Sequence, residues 1–222
     1  MNPDAQLGLW LTVVGYGVYH GLNPAMGWPL AVANGLTARR DRAVFATVLP
    51  LGAGHLLAMA VVLLPFAMLA WYVEWSRLLR AGAGALVLAF GLYKLIDRRH
   101  PRFLARIRPT QLTWWSFLMA TAHGAGLMLV PITLSLCTLP TASPGGTFAA
   151  FAGSGAAATA LQVAVVHTLA MIGSGLAIAW IVYRHLGLRV LRQTWFNLDA
   201  VWALSLVVTG AIGFAMALAA GR

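Results

Sequence analysis

Acidic side chains are nearly absent: five Asp and Glu stand against fifteen Lys and Arg in 222 residues. So few carboxylates leave little for acid–base catalysis by paired carboxylates. A single cysteine, Cys137, excludes an internal disulfide and any Cys-x-x-Cys redox motif. Charge of either sign is scarce, at 9% of residues against about 25% in soluble domains. There is no Gly-x-Ser-x-Gly elbow, phosphate loop or His-Glu-x-x-His helix, so hydrolase, nucleotide and zinc-protease chemistry have no sequence support. The first residues, Met1 to Gln6, put no basic segment ahead of an apolar run, which argues against a cleaved signal peptide.

What the chain has is apolar length. Hydrophobic residues make up 60% of it, and several runs reach roughly 20 residues, enough to cross a hydrocarbon core about 30 Å thick. The expected fold is all-α, a polytopic membrane helical bundle with the lipid bilayer as its first partner. Six spans are expected, at about 7–36, 43–72, 81–96, 114–136, 157–183 and 199–220. Pro50 and Pro65 mark expected kinks in the second. The connections after spans one, three and five carry three, five and three arginines; those after two and four carry two and none. The positive-inside rule then puts the first group in the cytoplasm and both termini outside, in a cytoplasmic (inner) membrane. The same rule accounts for the net charge of +10 without nucleic acid.

The chain also echoes itself. Gly54-His55-Leu56-Leu57-Ala58-Met59 in span two matches Val166-His167-Thr168-Leu169-Ala170-Met171 in span five. His20-Gly21, with Met26 and Pro29 after it, matches His123-Gly124, with Met128 and Pro131 after it. Trp75 and Trp195 precede spans three and six. Residues 1–100 and 101–222 thus read as two three-helix repeats within one membrane domain. Three is odd, so the second half would enter the membrane inverted, as in many transporters.

This repeat sorts the histidines. His20, His55, His123 and His167 fall within spans at matched positions, whereas His100 and His185 fall in basic connections and are expected in solvent. His55 with Met59, and His167 with Met171, are four apart and share a helix face. Neutral imidazole ligates zinc, copper, iron and nickel; thioether selects soft ions such as copper(I). An interhelical hydrogen bond is the ordinary reading of one intramembrane histidine, and methionine is an ordinary apolar filler. Four histidines at repeat-related positions favour a shared site instead.

The densest cluster is His20-Gly21-Leu22-Asn23-Pro24-Ala25-Met26-Gly27-Trp28. Pro24 removes a backbone donor and turns Asn23 away from helical geometry, so a broken helix is expected there. Broken backbone at membrane depth persists only against protein or a water-filled cavity, and polar residues there point to function. The spacing His20-x-x-Asn23-Pro24-x-Met26-Gly27 resembles the first-helix signature of the nickel/cobalt transporter and efflux families, which include hydrogenase- and urease-associated transporters. Gly54-His55 is similar to their second-helix Gly-His-Thr pattern. The resemblance covers about a quarter of the chain. It implies a metal site near His20, Asn23 and Met26, completed by His55. Two positions depart from the pattern: Met26 stands where those families have a second histidine, and Asn23 where they have an acidic residue. These changes remove a nitrogen donor and a negative charge, leaving copper, nickel, cobalt and zinc all open.

Asp199 opens span six, where an N-cap role and a role in proton coupling are both open. The function these residues favour is binding or transport of a transition-metal ion through His20, Asn23, Met26, His55, Met59, His123, Met128, His167 and Met171. An exporter of a small organic solute or amino acid with structural histidines is the alternative. A haem-binding electron-transfer subunit, ligated by two histidines, ranks third. A homo-oligomer and a subunit of a larger membrane complex are both open as assemblies.

Overall fold

The computed structural model describes residues 3–72, 76–96, 111–137, 155–186 and 198–219. These residues form helices joined by short turns, with no strand among them. Helix α1 is Pro3–Leu22, followed by a 3-10 turn, Pro24–Met26, and by α2, Trp28–Ala38. Helix α3 is Asp41–Tyr72, α4 is Ser76–Ile96, α5 is Leu112–His123 and α6 is Ala125–Leu136. Helix α7, Ala156–Ile181, ends in a π-helical turn at Val182–Leu186, and α8 is Leu198–Ala219. The basic connections at 97–110 and 187–197, the uncharged stretch at 138–154, and Trp75 and Trp195 lie outside the described residues.

Two helical stretches, Asp41–Met68 and Ala156–His185, are long and apolar enough to cross a membrane. The pair α5 and α6, bent by 67° between them, would make a third. Leu49 and Leu169 are 77% and 62% exposed, and Leu57, Val61, Leu118 and Leu161 are exposed as well. Histidines 20, 55 and 167 are meanwhile fully buried. Large apolar side chains exposed on the outside, together with histidines buried in the core, depart from the arrangement of a domain that faces water on all sides.

Two helix breaks shape the interior. After Leu22 the chain turns through Asn23, whose Oδ1 accepts from the Ala25 N–H at 3.0 Å. Pro24 supplies no donor, and Gly27 N–H closes the turn onto the Pro24 carbonyl at 3.2 Å. Gly27 has φ +102°, and a Cβ there would stand 2.9–3.0 Å from Leu51 and Trp115, so glycine is needed for both backbone and space. The Trp28 indole N–H donates to the Leu22 carbonyl at 3.1 Å, satisfying an acceptor freed by the break. The break expected at Pro24 is therefore present and its backbone groups are satisfied from within. The second break is at Gly124, φ +71°, between α5 and α6. Span four was expected to be one helix. By contrast α3 continues as one helix through both Pro50 and Pro65.

Close packing holds α1 on α7. A Cβ at Gly17 would lie 2.6 Å from the His167 carbonyl oxygen, and one at Gly21 would lie 2.1 Å from that of Met171. The spacing Gly17-x-x-x-Gly21 is the small-residue pattern that lets membrane helices approach closely. The Ser174 hydroxyl, on α7, donates to the Val18 carbonyl of α1 at 3.0 Å. On α3, Gly54 is pressed against the Thr113 carbonyl of α5, and Ser116 of α5 donates to the Leu51 carbonyl at 2.6 Å. Gly91 of α4 meets Val207 of α8, and Gly210 of α8 meets Leu88 of α4, so this pair is also packed through glycines.

The Gly21 contact yields a stability prediction. The obstructing atom is helix backbone, which cannot swing aside, so Gly21→Ala should destabilise the chain by about 1–3 kcal/mol through overpacking. Thermal unfolding in detergent measures it. An unchanged midpoint would mean that α1 and α7 do not approach this closely.

Candidate metal centre

Three helices each deliver one imidazole to the centre of the bundle. His20 comes from the last turn of α1, two residues before the break. His55 comes from the middle of α3, flanked by the α5 contact at Gly54. His167 comes from the middle of α7, opposite Gly17. One ring nitrogen from each lies within 4.8 Å of the other two. The rings of His20 and His55 meet edge to face, with centroids 4.9 Å apart and planes at 89°. His20 and His167 are similarly arranged at 5.4 Å and 75°, while His55 and His167 stack at 5.6 Å and 18°.

Hydrogen bonding sets the proton position on His167. Its Nδ1 stands 3.4 Å from the Val13 carbonyl oxygen, which can only accept, so Nδ1 carries the hydrogen. That leaves a lone pair on Nε2. Nε2 of His167 is buried without a hydrogen-bond partner among the described residues, and so is Nε2 of His55. A metal-ligating histidine commonly donates its other ring N–H to a carbonyl in this way, which fixes tautomer and orientation. A buried polar atom with no partner costs about 1–3 kcal/mol, so two beside each other in a packed interior call for a reason.

The donor set fits a transition-metal ion in kind. Imidazole nitrogens bind such ions at about 2.0–2.1 Å, which for a tetrahedral ion spaces them about 3.3 Å apart. The trio spans up to 4.8 Å, so loading would draw the rings inward by about an ångström, within reach of side-chain rotation. No cysteine or carboxylate joins the group among the described residues. A loaded site of these three ligands would therefore carry the full charge of its ion.

The other sequence candidates are spread around this centre. His123 is buried but not in the trio; it is the last residue of α5, and its Nδ1 lies 2.8 Å from the Met119 carbonyl. Asn23 caps the 3-10 turn through its side-chain oxygen. Met26 and Met171 are buried and line one apolar recess. Met59 is fully buried in the main apolar core with Val13 and Leu63, and Met128 packs with Val87 and Leu206 beside α4 and α8. Asp199 is the second residue of α8, inside its first turn, and its side chain lies outside the described residues. His185 is exposed, as expected, and His100 lies outside the described residues. Sequence reasoning missed Gly17 and Gly21 as the residues that bring His20 against α7, although their four-residue spacing was a readable signal. It also missed Val13, which acts through a carbonyl and leaves no trace in side-chain chemistry.

Comparison with protein-family models, with curated proteins and with solved structures returned no match for this chain.

The unpartnered nitrogen makes a prediction that needs no metal. If His55 is held for ligation rather than for packing, His55→Leu, of similar volume, removes a buried orphan and should leave the unfolding midpoint of metal-free protein unchanged or raised. A loss above about 2 kcal/mol would instead mark His55 as a structural hydrogen-bonding residue.

Proposed function

We propose that this chain is an integral membrane protein that binds a transition-metal ion at His20, His55 and His167 and carries it across the bilayer. The observation that carries the reading is the convergence of three fully buried imidazoles, with ring nitrogens within 4.8 Å and two of those nitrogens unpartnered. Membrane interiors tolerate polar groups poorly, so ionisable side chains gathered there mark ion pathways. The broken helix beside His20 is a second mark, because transporter sites are built where spanning helices are interrupted. A haem would need a flat slot between two imidazoles, whereas His20 and His55 touch edge to face at 4.9 Å, which favours a single ion.

The wider architecture in this reading is six spans in two inverted three-helix repeats, in the cytoplasmic membrane with both termini outside. Its support is the pairing of helices. Span one packs on span five as α1 on α7, and the counterpart pair, span four on span two, packs as α5 and α6 on α3. Spans two and five, α3 and α7, pack on each other, as do spans three and six, α4 and α8. Both first spans of the proposed repeats break just after a histidine, His20 or His123. The kinship to the nickel/cobalt transporter and efflux families stays part of the proposal, resting on the His20 to Gly27 and Gly54-His55 motifs.

Metal content of the purified chain tests the function. One ion per chain is expected, lost in His20→Ala, His55→Ala and His167→Ala and retained in His123→Ala. Retention should fall on acidification, since protons compete for the same lone pairs. If none of the four substitutions changes metal content or cellular metal tolerance, the metal reading gives way to an organic-solute exporter with structural histidines.

A further inference from the structure

An apolar recess has in its wall a residue within one helical turn of each of the three histidines. It is lined by Gly21, the neighbour of His20; by Leu51, one turn before His55; and by Met171, one turn after His167. Met26, from the turn after the α1 break, completes this end, and Val48 and Ala179 continue it away from the trio. Each helix runs from the trio along the recess toward the same end of the bundle, where α2 leads to Arg39, Arg40 and Arg42 and α7 leads to Arg184. The Tyr183 hydroxyl donates to Asp41 Oδ1 at 3.1 Å there, and Arg184 lies 3.8 Å from Asp41 Oδ2, tying the start of α3 to the end of α7. The recess thus lies between the level of the trio and the arginine-rich end, and neither a histidine nor an arginine is part of its wall.

Two properties of this region bear on the choice of ion. Its ligand-capable side chains are thioethers: Met26 and Met171 approach from different helices, and both are buried in the wall of the recess. Thioether sulfur binds soft ions such as copper(I) and contributes little to nickel or zinc. The trio also carries no carboxylate among the described residues, so nothing there offsets an ion's charge. Solvation cost rises with the square of charge, so a divalent ion stripped of water there meets about four times the penalty of a monovalent one.

Resting on the metal-binding reading above, we infer that the cargo is a soft monovalent cation of the copper(I) class, and that Met26 and Met171 form a second, thioether station between the trio and the arginine-rich side. The ion passes between sulfur and nitrogen ligands without change of oxidation state, so the step needs no electron donor or acceptor.

Silver(I), which is redox-inert, serves as the probe. The full-length chain in detergent is titrated with silver(I) against a competing chelator and, in parallel, with zinc(II). Wild type is expected to prefer silver(I). Met26→Leu combined with Met171→Leu keeps volume and apolarity, and should weaken silver(I) binding by about tenfold or more while changing any zinc(II) binding by less than about twofold. Each single substitution should give part of the effect, and Met59→Leu, in the core away from the recess, should give none. Sulfur scattering in the silver absorption spectrum should disappear in the double variant, a readout that a packing defect would not mimic. If His55→Ala abolishes metal binding but the methionine variants retain full silver(I) affinity and the sulfur signal is absent, the thioether station is wrong and the trio stands. If zinc(II) binds wild type more tightly than silver(I), the monovalent assignment is overturned. If no histidine substitution affects either ion, the metal-binding reading itself fails, and the station falls with it.

Discussion

Imidazole nitrogens held away from water are the constraint on which the rest of the chain turns. His20, His55 and His167 are buried to within 1% of completely, in a bundle whose outside is leucine and valine. Such an interior holds no bulk water to orient the rings, so each must be oriented by its helix and by neighbouring protein groups. The Val13 carbonyl does this for His167, and the glycines at 17 and 21 bring that carbonyl and the His20 ring against α7. Remove the close approach and the trio has no reason to converge. The tight α1–α7 contact is therefore as much a part of the cluster as its imidazoles.

The two halves share a pattern without sharing every role. Both contain a first helix interrupted just after a histidine, yet the interruptions are built differently. In the first half Asn23 and Pro24 make a capped 3-10 turn and Gly27 restarts the helix. In the second a single left-handed glycine, Gly124, bends the chain by 67°. His20 joins the trio, whereas His123 turns its Nδ1 to the carbonyl one turn back on its own helix. On the proposed repeat frame the trio is asymmetric, with His20 and His55 from the first half and His167 from the second.

Much of this was legible in the sequence, and the gaps have physical causes. All-α class followed from apolar length, and the break at Pro24 from a missing donor. The matched Gly-His and Val-His motifs singled out His55 and His167, which do come together. The count of crossing helices was harder to read. Among the described residues two helices, or three with the bent pair, meet the length and apolarity needed; α1 carries Tyr16, Tyr19, His20 and four glycines, which dilute its apolarity. The break at Gly124 had only one glycine to announce it, and glycine is common throughout this chain. Methionine was the least readable type: Met59 and Met128 fill core space, Met26 and Met171 border a recess, and their sequence spacing from histidine is similar.

X-ray absorption at the edge of the metal found in the purified full-length chain tests the convergence of His20, His55 and His167 on one ion most directly. Three nitrogen scatterers at about 2.0–2.1 Å, with the outer-shell signature of imidazole rings, are predicted, falling to two in His167→Ala. A first shell of oxygen alone, unchanged by His167→Ala, would contradict it.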